Sequence, residues 1–192
     1  LWYNCIMQTP HSPETAPSGF FGLGIAPALL EAITSLGYTS PTKIQTQAIP
    51  SAIQGKDVVG IAQTGTGKTL AFGVPMIQRL AEVKGKGLVL LPTRELAIQV
   101  DESIRKVGKH LGVTTAVLIG GASMGYQMEA LRKNPTIVIA TPGRLLDHLE
   151  RRTVRLDATR IVVLDEADRM LDMGFMPQIQ RVMHALPKER QT

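Results

Sequence analysis

The stretch Ala62-Gln63-Thr64-Gly65-Thr66-Gly67-Lys68-Thr69 decides the fold. It follows an aliphatic run, Asp57 to Ala62, that reads as a buried strand. It opens a second run, Lys68 to Ala81, with helical spacing. Gly65 and Gly67 let the backbone turn tightly and aim successive N–H groups at one point, and the start of the following helix adds the positive end of its dipole. That is a cradle for phosphate. Lys68 is placed to reach the β- and γ-phosphates of a nucleotide, and the Thr69 hydroxyl to ligate Mg²⁺. Gln63, Thr64, Gly65, Thr66 and Gly67 are the remaining candidate nucleotide ligands of the loop. The general pattern for such loops begins with Gly, where this chain has Ala62.

Working outward, short aliphatic strands alternate with helical patterns. Strands are expected at 57–62, 87–91, 113–119, 136–140 and 160–164, and helices at 68–81, 95–111, 123–133, 143–151 and 174–186. Two helices precede the loop: one carrying Ile25, Leu29, Ile33 and Leu36, closed by Gly37, and one from Thr42 to Ile53. Strands separated by helices imply parallel βαβ units with right-handed crossovers. The expected fold class is therefore α/β: a three-layer α/β/α domain with a mostly parallel sheet.

Composition agrees. Hydrophobic residues make up 44% of the 192, yet aromatics only 4%, so burial must rest on aliphatic side chains, as in sheets covered on both faces. The net charge is +5, and since the first 42 residues carry −2, the remainder carries +7. The basic character thus belongs to the folded body and suits a polyanionic partner, although a generic basic surface would look the same. A single cysteine, Cys5, excludes a disulfide framework within the chain and fits a reducing, cytoplasmic setting. No apolar run reaches the ~18 residues a membrane span needs. Residues 1–19 lack a basic start and carry Pro10, Pro13 and Pro17, which argues against a signal peptide and for a flexible leader.

A phosphate loop needs an acidic partner on a neighbouring strand. Ile161-Val162-Val163-Leu164 runs into Asp165-Glu166-Ala167-Asp168, and a carboxylate just past the carboxyl end of a parallel strand faces the crevice where ligands bind. Asp165 is the candidate to hold Mg²⁺ with Thr69, and Glu166 the candidate to orient or deprotonate the attacking water. Asp168 reads as a structural or coupling group. The candidate catalytic set is thus Lys68, Thr69, Asp165 and Glu166.

At these residues the chain resembles the DEAD-box family, a branch of the superfamily 2 helicases; an Ala at the head of the phosphate loop is itself a feature of a large group of helicases. Asp165-Glu166-Ala167-Asp168 matches the tetrad that names the family. Gly37-Tyr38-Thr39-Ser40-Pro41-Thr42-Lys43-Ile44-Gln45 is similar to its Q motif, with Phe20 at the place of an isolated upstream aromatic. Pro92-Thr93-Arg94-Glu95-Leu96-Ala97 is similar to motif Ia, Gly120-Gly121 to the GG motif, and Thr141-Pro142-Gly143-Arg144 to motif Ib. Arg169 to Phe175 further resembles the RhlE-like bacterial members.

The resemblance implies a RecA-like first domain over 20–192, ending before motif III and without the second RecA-like domain. It implies ATP and Mg²⁺ as cofactors and RNA as partner, bound along its sugar–phosphate backbone without sequence preference, by a monomer. The Gln45 amide would read adenine, the Phe20 ring would stack on it or else pack beside Phe21, and the Thr42 and Lys43 backbone would add base contacts or simply begin a helix. Pro92, Thr93, Arg94, Gly120, Gly121, Thr141, Pro142, Gly143 and Arg144 would line the RNA floor. The implied activity is ATP-dependent separation of short RNA duplexes, with an ATP-controlled RNA clamp as the alternative. With no second domain to complete the site, this chain alone is expected to bind nucleotide and barely hydrolyse it.

Overall fold

The computed structural model describes residues 19–63 and 65–192; Thr64 and the leader before Gly19 lie outside the described residues. Two helices, α1 (Pro27–Ser35) and α2 (Lys43–Ile53), precede α3 (Lys68–Glu82). The remainder alternates: β1 (Lys86–Leu90), α4 (Arg94–Gly108) with a 3₁₀ turn over Lys109–Leu111, β2 (Thr115–Leu118), α5 (Met124–Arg132), β3 (Ile137–Ala140), α6 (Pro142–Glu150), β4 (Thr159–Leu164), α7 (Ala167–Asp172) and α8 (Met176–Ala185). The described strands form one parallel sheet in the order β2-β3-β1-β4, the α/β architecture expected from the sequence. No described helix is long and apolar enough to cross a membrane.

Strand alternation explains the layers. Val89 of β1 and Leu91 just after it face one core with Ile137, Ile139 and Ile161, covered by Val74 and Ile77 of α3 and Val100 and Ile104 of α4. Leu88 and Leu90 face the opposite core with Val138, Ala140 and Val162, covered by Leu145 of α6 and Ile179 and Val182 of α8. Because both faces are buried, the strands read as continuous aliphatic runs. The pairing is in register, Leu90 lying opposite both Ala140 and Leu164. The carboxyl ends of β1, β3 and β4 therefore finish level, and the segments after them share one edge.

The sheet corrects the sequence expectation at its fifth strand. Residues 57–62 form no regular strand, and Val59 and Ile61 are almost fully exposed. A strand needs a partner ladder, and this segment has one only at its start: the Val58 N–H donates to the Thr192 carbonyl at 3.1 Å, and the Thr192 N–H to Asp57 Oδ1 at 2.8 Å. Gln191 in turn bridges to Ile161 of β4. The Gln191–Thr192 pair thus stands between β4 and residues 57–58, and residues 59–62 pair with no strand among the described residues. Helix α7 has no counterpart among the helices expected from the sequence; it starts directly from Glu166, whose φ of 52° breaks the chain out of β4.

Candidate nucleotide and RNA-facing site

The phosphate loop is held from within and from behind. Thr66 Oγ1 donates to the Gln63 carbonyl at 2.6 Å, closing the turn. Gly67, at φ 88°, is the N-cap of α3. Gly65, at φ 81°, has nothing near the place of a side chain, so that part of the loop is open to a ligand. Lys68 and Thr69, both half-buried, begin the helix. Thr64, a sequence candidate, lies outside the described residues.

Gln45 lies behind this loop. Its Oε1 accepts the Thr42 N–H at 2.9 Å, and its Nε2 donates to the Gly67 carbonyl at 3.0 Å. The side chain is 2% exposed. The first bond is half of a capping box that starts α2. The second fixes the residue that starts α3. In this conformation both ends of the amide are occupied, so the expected reading of adenine would require these bonds to be exchanged. Thr42 and Lys43 are exposed at the start of the helix.

Phe20 departs from expectation more sharply. It is 1% exposed and packed in the core with Leu23, Leu29 and Ile33, whereas Phe21 is 70% exposed. A ring buried to that degree has no face to offer a base. The packing alternative describes it, and Phe20 is a core residue of the α1 side.

Across the edge of the sheet, Asp165 follows β4 and is tied to β1 by its N–H, which donates to the Leu90 carbonyl at 3.0 Å. Burial pushes its carboxyl above the usual carboxylate range, against the opposing pull of the Lys68 charge and of the Glu166 N–H that donates to Oδ1 at 3.0 Å. Lys68, in the first turn of α3, is thus near enough for its charge to act on Asp165. The Glu166 carboxylate, its side chain 11% exposed, accepts from Arg169 Nη1 at 3.1 Å; Asp168 is exposed on α7. No described group of three or more His, Cys, Asp or Glu could cage a metal. The oxygens on offer, the half-buried Asp165 carboxylate after β4 and the Thr69 hydroxyl in the first turn of α3, are hard donors. They suit Mg²⁺, which keeps several waters and shares ligands with phosphate.

The RNA-facing candidates gather at the same edge. Thr93 caps α4, Oγ1 accepting the Leu96 N–H at 3.3 Å. Arg94 is exposed, and its guanidinium lies against Gly121, where a Cβ would collide with it. Gly121 has φ 72° and is exposed; Gly120 and Thr141 are half-buried and Gly143 is exposed. Two expectations need correction. Pro92 and Pro142 are buried; they follow β1 and β3 and leave little surface for a ligand to touch. Arg144 is turned inward: its side chain is 13% exposed, Nη1 donates to the Ala122 carbonyl at 3.3 Å, and Nε lies 3.7 Å from Asp147. It secures the loop more than it presents charge.

Sequence reading missed the pair behind that loop, Gln127 and His148, which are 5% and 0% exposed. The signal was present for His148, which falls three residues after Leu145 on the apolar face of its helix.

Comparison with known proteins was consistent with this geometry. Residues 42–192 match the family model described as DEAD/DEAH box helicase. Among curated relatives, the DEAD-box ATP-dependent RNA helicase CshA of Bacillus cereus is 47% identical over 175 residues, covering 90% of this chain and 33% of the relative. The ATP-dependent rRNA helicase rrp3 of Neosartorya fischeri is 48% identical over 180 residues, covering 92% and 38%. A crystal structure of a hypothetical ATP-dependent RNA helicase from Sulfolobus tokodaii matches with a TM-score of 0.79 at 38% identity, covering 85% of this chain and 48% of that one. The chain thus spans between a third and two fifths of the length of these two curated relatives.

Proposed function

The chain belongs to the DEAD/DEAH box helicase family, and on that footing we propose that it is the ATP-binding part of an ATP-dependent RNA helicase. The single observation that carries this reading is the loop at the head of α3, turned by Gly65 and Gly67 at positive φ, on a helix packed against the sheet whose β4 runs into the half-buried Asp165. A lysine and a carboxylate held at one sheet edge suit a nucleotide whose phosphates and divalent cation they share. Residues 63–69 cradle the phosphates. Asp165 and Thr69 would hold Mg²⁺, which when bound neutralises charge on the phosphate oxygens. Glu166, oriented by Arg169, positions the attacking water. Gln45 braces the loop and gives adenine preference once its bonds to Thr42 and Gly67 are exchanged.

Thr93, Arg94, Gly120, Gly121, Thr141 and Gly143 form a shallow floor for RNA phosphates and sugars, contacts that carry little sequence information. Duplex separation and fast hydrolysis are proposed for a whole protein in which a second RecA-like domain completes the site. Equilibrium binding of fluorescent ATP and GTP analogues to this chain, with and without Mg²⁺, tests the nucleotide half. ATP favoured over GTP with a Mg²⁺ requirement is expected, and equal binding of both nucleotides would remove the adenine reading. Single-stranded RNA binding that weakens with salt tests the other half.

A further inference from the structure

A buried polar chain runs beneath the RNA-facing loop. Gln127, on the first turn of α5, donates through Nε2 to the Ile119 carbonyl at 2.9 Å and to the Ala122 carbonyl at 3.4 Å. Its Oε1 faces His148 Nε2 at 3.1 Å. His148 Nδ1 lies 2.7 Å from Thr153 Oγ1, which is itself 3.1 Å from the His148 carbonyl. The chain therefore reaches from both sides of Gly120-Gly121 to the last turn of α6 and the loop after it.

The directions of these bonds can be worked out. Two carbonyls fix the Gln127 NH₂ end, because a flipped amide would set its oxygen against the Ile119 oxygen. Oε1 must then face the imidazole, so Nε2 of His148 carries a proton. Burial holds the His148 pKa below its usual value, helped by the Arg144 and Arg151 charges and opposed by Asp147, so the ring is neutral near pH 7. Nδ1 is consequently the acceptor, and the Thr153 hydroxyl gives its one proton to the ring at 2.7 Å and not to the His148 carbonyl at 3.1 Å, which already accepts the Thr153 N–H at 2.9 Å. Every donor in the chain has an acceptor in that arrangement, the condition under which a buried polar network rigidifies its surroundings.

This network meets the second set of contacts on the same loop. The Ala122 carbonyl accepts from Gln127 on α5 and also from Arg144 on α6, and Arg94 lies against Gly121. The 119–122 loop is thus fastened by α5 and α6 and covered by the first residue of α4.

We propose that Gln127 and His148 are positioning residues for RNA binding: they fix the 119–122 loop against α6, so that Gly120, Gly121 and Arg94 present one preformed phosphate-binding surface. The proposal rests on the RNA reading above, and two measurements separate the two. The first needs no RNA. Long-range ¹H–¹⁵N spectra of the wild-type chain near pH 7.5 should show His148 as a fixed Nε2–H tautomer. In Gln127→Met, which keeps the volume, the Gly120 and Gly121 amide signals should shift and broaden. An Nδ1–H or averaged imidazole in the wild type, or unmoved glycine signals in the variant, overturns the network. The second measurement is the anisotropy of a labelled ten-nucleotide oligouridylate at low salt. Gln127→Met and His148→Phe should weaken RNA binding by about tenfold, the loss of roughly one buried hydrogen bond, while ADP affinity stays within about twofold. His148→Gln, which can still donate to Gln127, should bind nearly as the wild type and serves as the test where the apolar variants fail to fold. Folded variants that bind RNA as tightly as the wild type overturn the proposal. Failure of the wild type itself to bind RNA overturns the RNA reading and leaves the spectra to decide on the network.

Discussion

The side-chain amide of Gln45 joins the start of α2 to the start of α3, accepting from the Thr42 N–H and donating to the Gly67 carbonyl. Helix α2 and the phosphate loop are consequently one mechanical unit. Gly67 pays the steric cost of this closeness: a Cβ there would collide with the Gln45 amide nitrogen. A ligand that pulls on the loop also pulls on this amide, which gives the residue a structural as well as a recognition role.

Gln45→Ala should therefore do two things. It removes the Gln45 half of a capping box and leaves the half-buried Gly67 carbonyl with one partner fewer, at a cost of about 1–2 kcal/mol. It should also loosen the loop and weaken nucleotide binding. Urea denaturation reads the first effect and titration with a fluorescent ADP analogue the second. Weakened nucleotide binding with wild-type stability would show that the brace contributes nothing and that Gln45 acts on the ligand alone.

The two adjacent aromatics separate burial from stacking. Phe20→Ala empties a fully buried site and should cost about 3–5 kcal/mol. Phe21→Ala, at a position 70% exposed, should change stability by no more than about 0.5 kcal/mol. Melting temperatures of the two variants give the comparison. A Phe20→Ala chain as stable as the wild type, deficient only in nucleotide affinity, would restore the stacking role.

These cases show what was legible in the sequence. The order of elements, the phosphate loop and the acidic tetrad were readable because each depends on local rules: aliphatic runs, glycine punctuation, and a carboxylate at a strand end. Which aromatic is buried was not, since Phe20 and Phe21 differ only in how α1 packs. The failed strand at 57–62 has the composition of a strand; pairing is a long-range property that composition cannot supply. The burial of Pro92 and Pro142 was hidden for a related reason: a motif marks where the chain passes, not which of its atoms face out. His148 carried a local signal, but its partner Gln127 becomes visible only when α5 and α6 are side by side.

Asp165 supplies a pH-dependent test. Burial raises its folded carboxyl above the usual carboxylate range, so within the interval between the ordinary and the raised value the folded state binds more protons than the unfolded one. Stability from this group then falls as pH rises through that interval. Asp165→Asn, whose Oδ1 can still accept the Glu166 N–H, removes that dependence. The variant should gain stability relative to the wild type as pH rises through the interval, and the gap should close at lower pH. Adding Mg²⁺ and ADP should raise the melting temperature of the wild type by mass action and leave the variant nearly unmoved. An equal ligand-induced shift in both proteins would remove Asp165 from the cation site.

The glycine pair at the end of β2 separates loop geometry from charge. Gly121 has φ 72°, and a Cβ there would meet the Arg94 guanidinium; Gly120 has open space at the same place. Gly121→Ala should therefore cost about 1 kcal/mol from backbone strain and displace Arg94, while Gly120→Ala should be close to neutral for stability. If Arg94 neutralises one RNA phosphate, Arg94→Ala should reduce the slope of log affinity against log salt by about 0.7, the value for one contact to a single strand. Gly121→Ala should reproduce much of that change without removing a charge, because it moves the same guanidinium off its position. A Gly121→Ala chain that keeps the wild-type salt slope would show that Arg94 acts independently of the loop, and the preformed surface would have to be drawn without it.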